Sequence, residues 1–384
     1  MRFEFATASR IIFGPGTLSG VAPMAAEMGR SPLVVTGRSS DRAAPLIEAL
    51  EGQRMRITRC TVSGEPTTHT ALDAVQKARR AACDLVIGIG GGSVIDTGKV
   101  VAALITNRRP LIDYLEVIGN AQPLVSPAAP YIAIPTTAGT GSEVTRNAVL
   151  GSPDQRIKVS MRSPFMLPNL AVVDPELTVS LPPSVTASTG LDAFTQLMEA
   201  FVSSQANAMT DGICREGLHR AAESLQRVYE NGSDRNAREN MCLASLFSGL
   251  ALANAKLGAI HGIAGPLGGM ISGAHGAICA GLLPYVVETN IKALRTRAKD
   301  SPALKRYDEF ACILTQSAMA RAEDGIAWIK NLCRALEIQS LAHLGLSEAD
   351  FPNLVAKAQI ASSMQGNPIR LTEAELLEIL HKAL

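Results

Sequence analysis

The chain has almost no charge imbalance: 36 basic side chains stand against 35 acidic ones in 384 residues, leaving +1. That removes the electrostatic footprint by which nucleic acid or an anionic membrane surface is recognised. Aromatic residues are scarce as well, 4% of the chain, so a base-stacking surface is not expected. The seven cysteines, Cys60, Cys83, Cys214, Cys242, Cys279, Cys312 and Cys333, form no C-x-x-C pair. An odd, scattered set offers no disulfide framework and points to a reducing, cytoplasmic setting, with the thiols as small buried hydrophobes. The opening MRFEFATASRIIFG carries Glu4 and lacks an apolar stretch of signal-peptide length. One long run, between Lys256 and Glu288, has neither acid nor base, but eight glycines, Pro266 and Pro284 interrupt it. It reads as a buried or site-forming segment, not a membrane span. Neither a fixed-period repeat nor a low-complexity segment is present.

Apolar residues make up 47% of the chain, enough for a large core, and the length favours two domains. The first half alternates strand and helix signals. Leu33–Thr36, Met55–Cys60, Asp84–Ile89, Tyr131–Pro135 and Ala171–Asp174 read as strands, with helical spacing near 41–50, 68–82 and 94–105. Continuous apolar runs separated by helices predict a parallel sheet covered on both faces. At Leu181-Pro182-Pro183 the texture changes, and Ala, Leu, Met, Glu and Arg dominate afterwards. The predicted division is an α/β domain over 1–181 and an all-helical domain over 182–384. Helices are expected near 189–204, 211–230, 235–260, 284–297, 302–320 and 325–336, with two short ones at the C-terminus.

Three segments carry candidate chemistry. Gly88-Ile89-Gly90-Gly91-Gly92-Ser93 lies where a parallel strand hands over to a helix, so close backbone approach and free N–H groups favour a phosphate there. The spacing is not the usual G-x-G-x-x-G. Asp96, in the following turn, would repel a phosphate and suits ribose or nicotinamide donors better. Pro135–Thr145 packs four threonines, a serine and two glycines into eleven residues at a strand end, and forms a second wall for a dinucleotide. In the helical half Asp192, Gln196 and Glu199 share one helix face, while His261 and His275 lie in the charge-free run. One carboxylate with two imidazoles is a ligand set for Fe(II) or Zn(II).

In order and interval, Gly90–Asp96, Pro135–Thr145, Gly190-Leu191-Asp192-Ala193, His261 and His275 resemble the iron-containing (group III) alcohol dehydrogenases over nearly the whole chain. The resemblance implies a dehydroquinate synthase-like architecture: a dinucleotide-binding α/β domain, an all-helical domain and a cleft between them. It implies hydride transfer between a small alcohol or aldehyde and NAD(P)(H), in a homodimer. Carried onto this sequence, Gly91, Gly92 and Ser93 would hold the pyrophosphate, with Asp96 nearby. Thr136, Thr137, Thr140 and Thr145 would line the adenine and nicotinamide sides, Lys158 would lie near a ribose, and Asn147 near substrate. Asp192, His261 and His275 would be catalytic, and together with Gln196 they would hold the metal.

This sequence departs from that pattern in three places. The family's second metal ligand is a histidine four residues after the aspartate, and here Gln196 stands there as a neutral, weaker donor. A further histidine often found four residues after the first of the two later ligands is replaced by Gly265. Where the family commonly has an acid after its first nucleotide-binding strand, this chain has Gly37, Arg38, Ser39 and Ser40, which favours a 2′-phosphate and hence NADP(H). Two rivals share the fold: a metal-free maleylacetate reductase-like enzyme, and a dehydroquinate synthase-like lyase that recycles NAD within each turnover.

Overall fold

Six strands of the first half pair side by side in a wholly parallel sheet: β1 (Ile11–Phe13), β2 (Pro32–Thr36), β3 (Thr58–Thr61), β4 (Leu85–Gly90), β5 (Tyr131–Pro135) and β8 (Leu170–Val173). Their spatial order is β1-β8-β5-β4-β2-β3. The computed structural model describes residues 2–155, 157–271 and 273–384. β2, β4, β5 and β8 are buried along their whole length, and successive residues point to opposite faces. Leu33, Val35 and Val86 meet α3 (Thr68–Arg80) and α4 (Gly92–Thr106) on one face. Val34, Leu85 and Ile87 meet α1 (Val21–Met28) and α2 (Ala44–Gly52) on the other. A short α5 (Leu111–Tyr114) follows α4.

The chain runs from β2 outward to β3, then returns past β2 to β4 and continues the opposite way. The carboxyl ends of β2 and β4 therefore flank a reversal of strand order, the place where open α/β sheets take ligands. Several elements were not expected from the sequence: β1 and α1 near the N-terminus, and β6 (Asn147–Ser152) and β7 (Ile157–Arg162), which form an antiparallel pair outside the main sheet. A signal was present in Ile157–Arg162, where apolar and polar residues alternate strictly, while Asn147–Ser152 carries that alternation only in part.

Two compact units result. The sheet unit holds residues 6–137 and 141–180, and the helical unit holds 181–384 together with the described residues 2–5 and 138–140. The helical unit contains α6 (Pro183–Val202), α7 (Ala208–Glu230), α8 (Arg235–Asn254), α9 (Ala259–Leu267), α10 (His275–Arg297), α11 (Pro302–Thr315), α12 (Ala322–Ala335), α13 (Phe351–Ile360) and α14 (Glu373–Ala383). Among the described residues no strand follows Val173.

Several helix boundaries differ from expectation, among them the end of α11, five residues earlier than expected. The paired prolines open α6 instead of preceding it, because Pro183 at the first helical position has no N–H to leave unpaired. The single helix expected over 235–260 is two, α8 and α9, bent by 95° at a break of four residues ending in Gly258. α10 begins at His275, nine residues before the expected start, and runs through Pro284. A proline there frees the carbonyl four residues back, and the Cys333 thiol lies 3.9 Å from that Ala280 oxygen. α10 is long and apolar enough to cross a membrane, but 78% of its apolar window is buried inside the protein, as in a core helix.

Candidate active site

In the sheet unit the first glycine cluster closes β4 and opens α4. Gly91 is the N-cap, and no side chain caps the helix; the Val94 and Ile95 amides turn back to the Gly91 carbonyl, which leaves the amides of Gly91, Gly92 and Ser93 as the ones to meet an anion. Thr36 pairs with Ile89 and Gly90 with Pro135, which brings Gly37 beside Gly90 and Thr136 just beyond it. Gly91, Gly92, Ser93, Gly37, Thr136 and Thr137 thus gather at the carboxyl ends of adjacent strands. A Cβ on Gly91 would already stand 3.5 Å from Thr137. Arg38 and Ser39 are exposed directly after β2.

Other expected cofactor residues are engaged within the unit. Asp96 accepts from the Ser142 hydroxyl on one oxygen and from the Val149 amide, 2.9 Å, on the other. As a ribose ligand it would have only its remaining lone pairs to offer. Thr145 is buried and accepts from Lys99 Nζ at 2.8 Å. Lys158 on β7 donates to Glu65 at 3.1 Å. Asn147 gives its backbone oxygen to Lys99 at 2.7 Å, and Thr140 belongs with the helical unit.

Lys99 itself was missed from the sequence, where it looked like one more helix residue. It is fully buried, and its three N–H groups go to Ser142 Oγ, Thr145 Oγ1 and the Asn147 oxygen, with Asp96 3.5 Å away. Burial lowers its pKa while Asp96 and Glu143 hold it up. Burial pushes the carboxyl of neighbouring Glu143 up to about 7, against the pull of Lys99.

The helical unit builds the second cluster. Asp192 projects from α6, His261 from α9 and His275 from the first residue of α10. The α8–α9 break is what turns His261 toward α6, and Glu199 fixes it there. One Glu199 oxygen accepts from the Ile260 amide at 2.6 Å, and the other lies 2.6 Å from His261 Nδ1. The close approach of α10 to α6 requires Gly276, whose Cβ would fall 2.1 Å from the Ser188 carbonyl oxygen. His261 Nε2 stands 3.4 Å and His275 Nε2 3.9 Å from Asp192 Oδ1.

With His261 Nδ1–H donating to Glu199, Nε2 presents a lone pair to a carboxylate oxygen, so the cluster demands positive charge. Protons or a metal can supply it. Burial alone would lower both imidazoles, yet Cys279 and Asp192, with Glu199 at His261, raise them. Asp192 is lowered, because the two histidines outweigh its burial. Asp192 Oδ1 and His275 Nδ1 are buried without a hydrogen-bond partner, and so is Gln196 Oε1. Such orphans each cost about 1–3 kcal/mol, and a cation coordinated by Oδ1 and the two Nε2 atoms would relieve the first. A divalent metal fits these residues.

Gln196 follows Asp192 by one helical turn, with Nε2 3.4 Å from Asp192 Oδ2. The sequence reading also passed over Cys279 as a buried hydrophobe. Its Sγ lies 3.8 Å from His261 Nε2 and 3.7 Å from His275 Nε2, and the i, i+4 spacing from His275 was the available signal. Gly265 has nothing within 4 Å of where a Cβ would stand.

Comparison with known proteins agrees across both units. The model of the iron-containing alcohol dehydrogenase family matches residues 8–175, and that of the Fe-containing alcohol dehydrogenase family, C-terminal, matches residues 186–384. A 1,3-propanediol dehydrogenase of Klebsiella pneumoniae is 35% identical over 323 residues, 84% of this chain and 81% of its own. The crystal structure of a 1,3-propanediol oxidoreductase superposes with a TM-score of 0.91 at 30% identity, covering 100% of both chains. The sulfoacetaldehyde reductase of Bifidobacterium kashiwanohense, solved in complex with NAD+, has a TM-score of 0.87 at 28% identity, covering 100% of this chain and 99% of its own.

Proposed function

The chain belongs to the iron-containing alcohol dehydrogenase family, as an oxidoreductase acting on CH–OH groups, and on that premise we propose how its residues divide the work. The substrate is a small alcohol or aldehyde, taken near Asn147. When bound, a nicotinamide cofactor exchanges the hydride and a divalent metal, Fe(II) or Zn(II), acts as Lewis acid at the substrate oxygen.

The chain's own residues prepare both groups. Gly91, Gly92 and Ser93 offer amides at the uncapped start of α4 to the pyrophosphate. Thr136, Thr137 and Thr140 line the nucleotide. Thr145 and Asp96 shape that wall from behind through Lys99, and Lys158 stands toward a ribose. Asp192, His261 and His275 hold the metal, with Glu199 keeping the His261 Nε2 lone pair aimed at it and Gln196 steadying Asp192. The family also implies a homodimer in the cytoplasm, and both are part of this reading.

The observation that carries it is the convergence of Asp192 Oδ1 with two imidazole nitrogens, one from buried His261 and one from partly exposed His275. The test is to follow NADH and NADPH oxidation with short aldehydes, using metal-loaded and chelator-treated enzyme. Turnover should need the metal and fall by orders of magnitude in Asp192→Asn. Full turnover by verified metal-free enzyme would overturn it and favour the metal-free rival. NADP(H) should serve at least as well as NAD(H), through the exposed guanidinium of Arg38 and the hydroxyl of Ser39 beside the end of β2. Arg38→Ala should raise the KM for NADPH about tenfold, with little effect on NADH. A strong NADH preference unchanged by that substitution would refute this part.

A further inference from the structure

Resting on that metal reading, we infer that Cys279 supplies the fourth metal ligand, making an Asp192–His261–His275–Cys279 centre that selects zinc over iron. Gln196 then acts as a positioning residue. The four donor atoms, Asp192 Oδ1, the two Nε2 atoms and Cys279 Sγ, all lie within 4.8 Å of one another. Four of their six spacings lie close to the edges of a tetrahedron around zinc. Zn–S of about 2.3 Å and Zn–N of about 2.0–2.1 Å put sulfur and nitrogen roughly 3.6 Å apart across a tetrahedral angle, and the two Sγ–Nε2 distances are 3.8 and 3.7 Å. Two nitrogen or oxygen ligands at such lengths stand roughly 3.4 Å apart, and Asp192 Oδ1 is 3.4 and 3.9 Å from the two rings.

Position fixes the assignment as much as distance. Cys279 follows His275 by one turn of α10, so both side chains leave the same face. It is wholly buried, and its sulfur contacts are the two imidazoles of the cluster. Gln196 turns its amide nitrogen, a donor with no lone pair for a metal, toward Asp192 Oδ2. That holds the carboxylate with Oδ1 facing the histidines. A thiolate also changes the preference of the centre, since soft sulfur favours Zn(II) where oxygen and nitrogen alone leave iron competitive. Four protein ligands leave substrate a fifth position, reached by expansion of the coordination sphere.

Cobalt substitution tests this without relying on turnover. The full-length apoenzyme, reconstituted with one equivalent of Co(II), should show the near-ultraviolet thiolate-to-cobalt charge-transfer band. Zinc-loaded enzyme should show a sulfur scatterer at about 2.3 Å by X-ray absorption. Cys279→Ser should lose both signatures and bind zinc at least about 100-fold more weakly in a chelator competition, beyond what loss of an outer partner produces. Gln196→Leu should keep the band. If the wild type binds cobalt or zinc stoichiometrically but shows neither band nor sulfur shell, Cys279 is not a ligand and the three-residue metal reading stands. If Gln196→Leu abolishes binding while Cys279→Ser does not, the fourth ligand is Gln196 and the inference falls. If the wild type binds no metal, both readings fall together. The wild-type spectra decide even if Cys279→Ser does not fold.

Discussion

Replacing Glu143 with glutamine should change how the sheet unit responds to pH. Glu143 is buried at 2% exposure beside Lys99. Its pKa rises from 4.5 to about 7 through burial, a shift of about 2.5 units or roughly 3 kcal/mol at 1.36 kcal/mol per unit. A carboxyl raised in the folded state binds its proton more tightly there than in the unfolded chain. Stability from this group is therefore complete below pH 4.5 and is lost as pH rises through about 7. Glutamine cannot ionise and escapes that loss. Between pH 5 and pH 8 the variant should gain about 2.5 kcal/mol relative to wild type, roughly 70-fold in an opening equilibrium. Hydrogen exchange of the slowest β4 and β5 amides reads that equilibrium in the sheet unit itself, and comparing two proteins at two pH values cancels the titration of every other group. An unchanged difference between the proteins at pH 5 and pH 8 would refute the reasoning.

Lys99→Met removes the cation and leaves the buried oxygens it served, with the partly exposed Asp96, without their donor, so unfolding of the sheet unit should become easier by about 1–3 kcal/mol, measured by the same exchange. Glu199→Gln keeps the volume but deprives His261 Nδ1 of its carboxylate, and zinc affinity should fall about 10–100-fold in chelator competition with the fold retained.

Much of this was readable in advance, and the rest was hidden for identifiable reasons. The parallel strands could be read because continuous apolar runs have few other uses, and Asp192, His261 and His275 stood out against apolar surroundings. The α8–α9 bend did not. The start of α9 is held by side chains distant in sequence, Glu199 accepting from the Ile260 amide and Asn367 from the Ala259 amide, and sequence periodicity carries no trace of such partners. α10 was shortened in expectation because Pro284 normally limits a helix, and the Cys333 thiol near the freed carbonyl comes from 53 residues away. Cys279 and Lys99 share one difficulty. Each is an ordinary residue on a helix, and only the folded neighbourhood shows what its polar atom meets.

Lys99 joins α4, whose uncapped start faces the expected pyrophosphate, to the segment from Ser142 to Asn147, and it does so out of reach of solvent ions. Mobile counterions screen exposed charges over about 10 Å at 0.1 M salt, but they cannot enter a pocket where every ammonium proton already has an oxygen. Concentrated brine should therefore weaken the capture of a phosphorylated nucleotide by the exposed Arg38 while leaving the wall built on Lys99 in place. Cofactor affinity would then fall with ionic strength, while the shape of the nucleotide wall would not.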